Sequence, residues 1–387
     1  MEFIVDIANP ISEKLCDAQA ALEIPTLKGE RVFRTTARTL FDKNALNPMP
    51  YAMIFAESLD PKQVELGRLL FYEPLLSENN ERSCASCHQP EKAFTDGLSR
   101  ALAVTRDKTK LRNTPTVINS AFQASSSYDQ KTIHLEDRVR FVVHSPDEMH
   151  SSLDVAAQKL MQSPDYRARF TAAFNAENSI NARNIELAIA NYMRSLVSFN
   201  SRFDQYVRGD KTKLTEQEQH GFNLFAGKAK CATCHFIPLF NGTVPPNFNE
   251  TEAEVIGVPK EPKWKNAEID PDIGKMTING IELNKYMFKT PTLRNIELTA
   301  PYMHNGVYQT LEQVMKFYNM GGGKGIGIDL ENQTLPSDTL GLSRQEIQDV
   351  VAFMKTLTDT TGMTARPTAL PKFSNEKLNV RKIGGVY

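Results

Sequence analysis

The sequence contains little cysteine and no excess of charge of either sign. Five cysteines among 387 residues are too few for a scaffold held together by disulfides. Lysine and arginine number 45 and aspartate and glutamate 46, which excludes a general nucleic-acid binder driven by net positive charge. No apolar run approaches the roughly 18 residues that a membrane span requires. The remaining composition, 41% hydrophobic and 24% charged, is typical of a globular chain of two or three domains.

The start of the chain also lacks the parts of a secretion signal. Residues 1–25 contain no basic start, no apolar core of sufficient length and no small-residue cleavage site. We therefore expect either that the mature protein begins here or that a leader has been removed. The distinction matters because the chemistry inferred next requires export.

Four of the five cysteines fall into two identical C-x-x-C-H frames. C-x-x-C-H is the attachment signature of c-type haem. The two cysteines bond to the vinyl groups of one porphyrin, and the histidine is the proximal ligand of the iron. Cys16 is left over, and we expect it to be a free thiol. The first frame consists of Cys84, Cys87 and His88, and the second consists of Cys231, Cys234 and His235.

A zinc site or a redox-active cysteine pair would also use spaced cysteines. Zinc sites usually need four ligands at matching spacing, and they leave the histidine after each second cysteine unexplained. A thioredoxin-like pair would lie in a βαβ context, which the sequence pattern does not show. The frames therefore predict two covalent haem c groups. Since covalent attachment takes place outside the cytoplasm, they also predict a periplasmic or otherwise exported protein.

The chain has the pattern of two copies of one plan. A G-x-x-L-F segment precedes each frame, and the long separation of the copies implies duplicated domains rather than a solenoid. We predict a mainly α fold with two cytochrome c-like domains, each holding one haem. The predicted segments are an irregular lead-in over 1–55, a first domain over 56–205, a second domain over 206–360 and an extended tail over 361–387.

Local signals predict several helices and one long loop. Asp60 followed by Pro61 is an N-cap with proline at the first helical position. Apolar residues recur at helical spacing over 185–196 and 347–354. Residues 241–285 are polar, contain proline and have no period, so we interpret them as a loop inserted in the second domain. Capping boxes are expected at Thr215 with Glu218 and at Ser343 with Glu346.

These motifs resemble the bacterial dihaem cytochrome c peroxidase and MauG superfamily. The similarity runs through most of residues 55–360. It includes both C-x-x-C-H frames and the segments Leu111–Val117, Asp147–Met149, Asn200–Asp204 and Leu293–Gly306. The resemblance implies that the first frame carries a peroxidatic haem and the second an electron-transfer haem.

The resemblance further implies catalytic roles near the first haem. Glu148 matches a distal carboxylate that takes the proton from bound H2O2 and delivers it to the leaving oxygen; from the sequence alone it would be a solvated acid. Arg138 stands where the peroxidases have glutamine, and it would either stabilise the leaving hydroxide or bind a haem propionate. Tyr128 replaces a tryptophan between the haems and is either a relay or a packed aromatic. The loop at 103–108 contains no histidine, which implies a first haem open to peroxide, as in MauG.

The second haem also needs a distal ligand. Tyr318 matches that position, which is tyrosine in MauG-like proteins and methionine in other members. A phenolate would lower the haem potential relative to methionine. Met320 is the alternative ligand, and it would face roughly 200° away around a helix, so that only one of the two can ligate. His304 matches a position near the second haem, where we expect a hydrogen bond to a propionate.

The family also holds a calcium ion between its haems. Asn113, Thr299 and Pro301 match the positions that supply an asparagine side chain and backbone carbonyls, and oxygen donors suit Ca²⁺. Without the resemblance, these residues would not indicate calcium.

The resemblance implies two functions in order of preference, and a third hypothesis comes from another class of protein. The first is H2O2 reduction at the first haem, with electrons delivered through the second haem from a cytochrome c or cupredoxin. The alternative is MauG-like, H2O2-dependent oxidation of a protein side chain through a high-valent dihaem state. Against it, the family's surface tryptophan has no match in Lys228–Lys230, and the chain's only tryptophan is Trp264 in the inserted loop. The third is a non-catalytic dihaem electron carrier. A homodimer is expected from the family only, and no nucleic acid or membrane span is expected.

Overall fold

The computed structural model describes residues 1–26, 29, 31–54, 56, 58–363 and 365–387. Helix makes up 39% of the chain and strand is scarce, so the predicted mainly α fold is confirmed. The α-helices of the described residues are α1 (Asn9–Ala21), α2 (Pro61–Phe71), α3 (Cys84–Cys87), α4 (Leu135–His144), α5 (Leu153–Leu160), α6 (Pro164–Phe174), α7 (Ala182–Ser195), α8 (Arg202–Val207), α9 (Glu216–Ala226), α10 (Met276–Asn279), α11 (Leu311–Asn319), α12 (Gly322–Gly325) and α13 (Arg344–Lys355).

Shorter elements connect these helices. Two two-residue strands, β1 (Ala253–Glu254) and β2 (Phe288–Lys289), pair antiparallel, with Ala253 opposite Lys289. A π-helix, Phe3–Ala8, precedes α1. The 3₁₀ turns are Pro74–Leu76, Pro90–Lys92, Ser120–Phe122, Cys231–Thr233, Glu282–Asn284, Ile296–Leu298 and Glu376–Val380. Within the described part of the chain, no helix combines the length and apolarity needed to cross a bilayer.

The helix before each C-x-x-C-H frame crosses a later helix at a glycine. A Cβ atom added at Gly67 of α2 would lie 1.8 Å from the carbonyl oxygen of Ala188 in α7. A Cβ atom added at Gly221 of α9 would lie 1.9 Å from the carbonyl oxygen of Asp349 in α13. Both distances are far below van der Waals contact, so only glycine permits these crossings. The glycine of the repeated G-x-x-L-F segment therefore has the same packing role in both halves.

The buried apolar residues form two main cores, one in each half of the molecule. The first core gathers side chains between Leu66 and Leu196, and the second gathers side chains mostly between Phe203 and Leu357. Met363 and Phe373, from the region predicted as an extended tail, are buried in the first core. The tail is therefore not a loose extension but part of the packing around the first half.

The predicted helix signals are present in the structure. The Asp60 side chain accepts hydrogen bonds from the backbone of Lys62 and Gln63 at the start of α2. The apolar residues predicted over 185–196 lie on α7, and those over 347–354 lie on α13. The capping boxes open α9, with Thr215 and Glu218, and α13, with Ser343 and Glu346.

The prediction that residues 1–55 are an irregular lead-in was wrong for their first part. Helical backbone runs through the π-helix Phe3–Ala8 and α1. Pro10 lies in the first turn of α1, where a missing N–H removes no hydrogen bond of that helix. The proline taken as an interruption is therefore compatible with the helix.

Candidate dihaem site

A single cavity of about 930 Å³ is lined by both C-x-x-C-H frames. This volume lies at the upper end of the roughly 300–1,000 Å³ typical of ligand pockets. Tyr128, Asn113 and His304 line the same cavity. The fold therefore brings the two frames, far apart in sequence, to one interior space.

The first frame forms the short helix α3 and presents its histidine to the cavity. The Nδ1 atom of His88 lies 3.0 Å from the carbonyl oxygen of Phe94. A proton on Nδ1 donates to that oxygen, which leaves Nε2 as the free ligand atom. Burial lowers the pKa of His88, so the imidazole is held in the neutral form that binds iron.

The second frame repeats this arrangement on a 3₁₀ turn, Cys231–Thr233. The Nδ1 atom of His235 lies 3.1 Å from the carbonyl oxygen of Pro291. Burial lowers the pKa of this imidazole to about 4. Pro291 lies 56 residues beyond His235, so a distant segment supplies the carbonyl that orients this histidine.

The structure joins none of the five cysteines in a disulfide. Burial raises the pKa of Cys84, Cys87 and Cys231 to about 12. Two thiol pairs, each followed by an imidazole with a free Nε2, line one cavity. This donor set fits two covalent haem c groups.

Glu148 faces the first half of the cavity beside two cations. Its Oε1 atom lies 2.6 Å from Nζ of Lys110 and 3.9 Å from Nη2 of Arg138. Its Oε2 atom is buried and has no hydrogen-bond partner among the described residues. Burial alone would raise the pKa of this carboxyl, but the charges of Arg138 and Lys110 and the hydrogen bonds that it accepts outweigh burial, so the pKa lies below its ordinary value. Glu148 is thus not the solvated surface acid that the sequence alone suggested.

Tyr128 connects the two halves of the cavity. Its hydroxyl lies 3.4 Å from Oδ1 of Asn113, and its carbonyl oxygen accepts a hydrogen bond from the backbone N–H of Lys289 at 2.7 Å. Burial raises the pKa of the phenol. Asn113 also donates from Nδ2 to the carbonyl of Leu98 at 2.7 Å. Thr299 and Pro301 line the same cavity.

Tyr318 lies on α11 and lines the cavity together with the second frame. Burial raises the pKa of its phenol. Met320 is the C-cap residue that follows α11, and it packs against the second core rather than lining the cavity. The structure therefore brings Tyr318, and not Met320, to the second C-x-x-C-H frame.

His304 is buried and lies flat against Phe288, with ring centroids 3.8 Å apart. Its Nε2 atom is 3.3 Å from Oδ1 of Asp270. Its Nδ1 atom is buried without a hydrogen-bond partner among the residues that the structure describes. An imidazole held at one nitrogen and unsatisfied at the other, in the wall of the cavity, is ready to bond to a group bound there.

Two buried aspartates of the predicted inserted loop were missed by sequence reasoning. Asp270 pairs with Arg100 at 2.6 Å, and Asp272 pairs with Arg112 at 2.6 Å. Both arginines belong to the first half of the chain, so the loop joins the two halves beside the cavity. Hydrogen bonds from His304 and Asn305 outweigh the effect of burial and lower the pKa of Asp270 to about 2. The polar composition of the segment predicted a loop. The two ion pairs could not be predicted, because their partners lie far apart in the sequence.

Three further charged residues of the cavity were also missed. Lys289 is buried opposite Gln123, and burial lowers its pKa to about 8. Glu252 and Glu254 lie beside Cys234, with their ligand atoms within 4.8 Å of one another. Burial and the neighbouring Glu254 raise the pKa of Glu252. The second frame thus faces acidic side chains, while the carboxylate at the first frame is neutralised by cations.

Comparison with known proteins agrees with this site. A model of the di-haem cytochrome c peroxidase family matches residues 61–212, which contain the first frame and Glu148. The methylamine utilization protein MauG of Methylorubrum extorquens is 35% identical over 302 residues, which cover 78% of this chain and 80% of that protein. The chain belongs to the dihaem cytochrome c peroxidase and MauG superfamily.

Other members of the superfamily are similar over comparable lengths. Cytochrome c551 peroxidase of Nitrosomonas europaea is 33% identical, over 80% of this chain and 83% of that protein. The crystal structure of a MauG-like protein associated with microbial copper homeostasis is 31% identical, with a TM-score of 0.69 over 80% of this chain and 93% of that chain. The region of similarity therefore extends well beyond the first half and supports two cytochrome c-like domains.

Proposed function

We propose that the protein is a dihaem c-type peroxidase that reduces H2O2 to water at the haem of the first frame, with electrons delivered through the haem of the second. The observation that carries this proposal is the single cavity that is lined by two C-x-x-C-H frames and by Glu148, a carboxylate with a lowered pKa. Bound haem would supply iron both for peroxide binding and for electron transfer. Cys84, Cys87 and His88 would hold the first group, and Cys231, Cys234 and His235 the second.

Glu148 is the proton-transfer group of this proposal. Its free Oε2 takes a proton from H2O2 and returns it to the departing oxygen, while Oε1 stays bound to Lys110. Arg138, farther from the carboxylate, adds positive charge that keeps Glu148 ionised. Each H2O2 takes up two protons and two electrons and yields two water molecules.

A second candidate function is MauG-like oxidation of a protein side chain by H2O2. Tyr318 favours it, because this residue lines the cavity at the second frame as a phenol donor while Met320 does not. The loop over 103–108, which contains no histidine, also favours it, because nothing in that loop would ligate the first haem. Tyr128, between the halves, would serve as the relay in either function.

Further parts of the proposal rest on the superfamily. We propose that the protein works in the periplasm and that its electron donor is a small cytochrome c or cupredoxin. A Ca²⁺ ion would be held by the Asn113 side chain and the carbonyls of Thr299 and Pro301, which line the same cavity as the frames. A homodimer remains the expectation for the assembly.

The proposal is tested by mixing the diferric holoprotein with one equivalent of H2O2 and recording the Soret and near-infrared absorbance. A rapid change in the absence of reductant is expected if the first haem is open. Subsequent consumption of reduced cytochrome c supports the peroxidase, whereas persistence of the oxidised state without consumption supports side-chain oxidation. No reaction with peroxide in either redox state would leave the electron carrier and refute both candidates.

A further inference from the structure

A continuous row of aromatic rings leads from the second frame toward the protein surface. Tyr318 contacts Phe317 with ring centroids 5.5 Å apart, and Phe317 contacts Tyr308 at 5.6 Å. Tyr308 stacks on Trp264 at 5.2 Å with an interplanar angle of 6°. Each ring is therefore in contact with the next, and the row begins at the residue that lines the cavity beside Cys231.

The two ends of this row lie in different environments. Tyr308 and Phe317 are fully buried, each with 0% of its surface exposed. Trp264 is only partly buried, in a segment whose neighbours Lys263 and Lys265 are exposed. The row thus runs through the second core and ends at a tryptophan within reach of solvent.

We infer that Phe317 and Tyr308 form an electron path between Tyr318 and the surface, and that Trp264 is the surface residue that is oxidised and then reduced again by the protein partner. This inference rests on the proposed function, in which H2O2 supplies the oxidising equivalents. One electron would leave the Trp264 indole, pass through the contacting rings of Tyr308 and Phe317 to Tyr318, and reduce the oxidised dihaem centre by one equivalent. An electron from the partner restores the indole.

The structure also indicates why the missing electron would reside on Trp264 rather than on Tyr308. An oxidised tyrosine normally gives up its phenolic proton. The Tyr308 hydroxyl is buried without a hydrogen-bond partner among the described residues, so no described group is placed to accept that proton. An indole can lose an electron without this requirement. Tyr308 then passes the electron through its ring, and its hydroxyl is not needed for this transfer.

The surface around Trp264 is basic. The ammonium group of Lys316 lies 4.1 Å from the indole centroid, and exposed lysines at 260, 263 and 265 surround it in sequence. Glu261 pairs with Lys263 at 3.2 Å. A partner that delivers electrons here would present an acidic face, because opposite charges steer the encounter of redox proteins.

The test uses the fact that Trp264 is the chain's only tryptophan. Diferric holoprotein labelled with ring-deuterated tryptophan is mixed with H2O2 without reductant, freeze-quenched and examined by high-field EPR. We expect a radical whose hyperfine pattern changes on deuteration. It is absent in Trp264→Phe and Tyr308→Leu and retained in Tyr308→Phe. The matched control is Tyr286→Leu. Tyr286, like Trp264, has a lysine beside its ring, with Lys285 5.7 Å from the ring centroid. It does not belong to the row of aromatic rings.

Lys316→Met tests the inference without disturbing the core, since this side chain is exposed. Removing the cation beside the ring makes the indole easier to oxidise, so the radical yield rises; a purely structural cation–π contact would not raise it. An unchanged or lower yield, a radical insensitive to deuteration, or one that persists in Tyr308→Leu would overturn the inference. If peroxide leaves the Soret spectrum unchanged, both the proposed function and the electron path are refuted. If the spectrum changes but no tryptophan radical forms, only the electron path is refuted.

Discussion

The replacement Glu148→Gln should abolish most of the reactivity of the protein toward H2O2. Glutamine keeps the shape of the side chain but cannot take up a proton. In the structure, Oε1 of Glu148 is bound by Lys110, and Oε2 is the oxygen left for peroxide. A positioned general base typically contributes about 10²–10⁴-fold. Since each tenfold corresponds to about 1.36 kcal/mol, the loss corresponds to about 3–5 kcal/mol of barrier height.

The assay is stopped-flow absorbance of the diferric holoprotein in the Soret region, with the rate constant taken from its dependence on H2O2 concentration. Asp147→Asn is the matched control, because Asp147 is the neighbouring carboxylate, is about half exposed and pairs with Lys108 at 2.8 Å. It should react at the wild-type rate. An unchanged rate constant in Glu148→Gln, or an equal loss in Asp147→Asn, would refute the role given to Glu148.

The pH dependence of the same reaction provides a second check. The carboxylate is the active form, and its pKa lies below the ordinary value of 4.5, so the wild-type rate should persist as the pH falls to that value. Lys110→Met removes one of the two cations that offset the burial of Glu148. The pKa of Glu148 then rises, and the loss of rate on the acidic side moves to higher pH. If the rate is lost at the same pH in Lys110→Met as in the wild type, Lys110 does not hold Glu148 in its ionised state.

Three other predictions concern packing, a buried ion pair and the second haem. Gly67→Ala forces a methyl group against the carbonyl of Ala188 and should lower the free energy of unfolding by about 1–3 kcal/mol in urea denaturation; an unchanged midpoint would contradict the close crossing. Asp204→Ala leaves Arg294 buried without its two carboxylate contacts at 2.8 and 2.9 Å, and the cost should be about 3–5 kcal/mol in the same assay. Tyr318→Met should raise the potential of the second haem in a spectroelectrochemical titration, because a neutral thioether replaces an oxygen donor; an unchanged potential and spectrum would show that Tyr318 does not ligate.

The sequence predicted what depends on short-range patterns. The proline after Asp60 and the capping box of Thr215 with Glu218 marked helix starts that the structure confirms, because a cap is satisfied within one turn of chain. The two frames predict the haem-binding residues from an equally short pattern. Pro10 was misleading, because the cost of a proline depends on its position within the helix, which the residue itself does not reveal.

The parts that could not be predicted depend on contacts between distant segments. Asp270 and Asp272 resembled ordinary loop acids, yet each is buried against an arginine of the first half. The row of rings that ends at Trp264 was equally hidden, since Tyr308 and Trp264 become neighbours only when the inserted loop folds onto α11. Polar character predicted the loop, but its partners follow from tertiary packing alone.

Contacts of Gly384 and Tyr387 with the first half of the chain affect the order in which the molecule is completed. Ser86, inside the first C-x-x-C-H frame, donates to the carbonyl of Gly384 at 3.0 Å. The Tyr387 hydroxyl accepts from the backbone of Leu102 at 3.1 Å and bonds to Asp96. The first frame is therefore supported by a residue that is synthesised 298 positions after Ser86. A peptide containing only the first half cannot form the finished pocket, and a purification tag fused after Tyr387 would lie close to the first C-x-x-C-H frame.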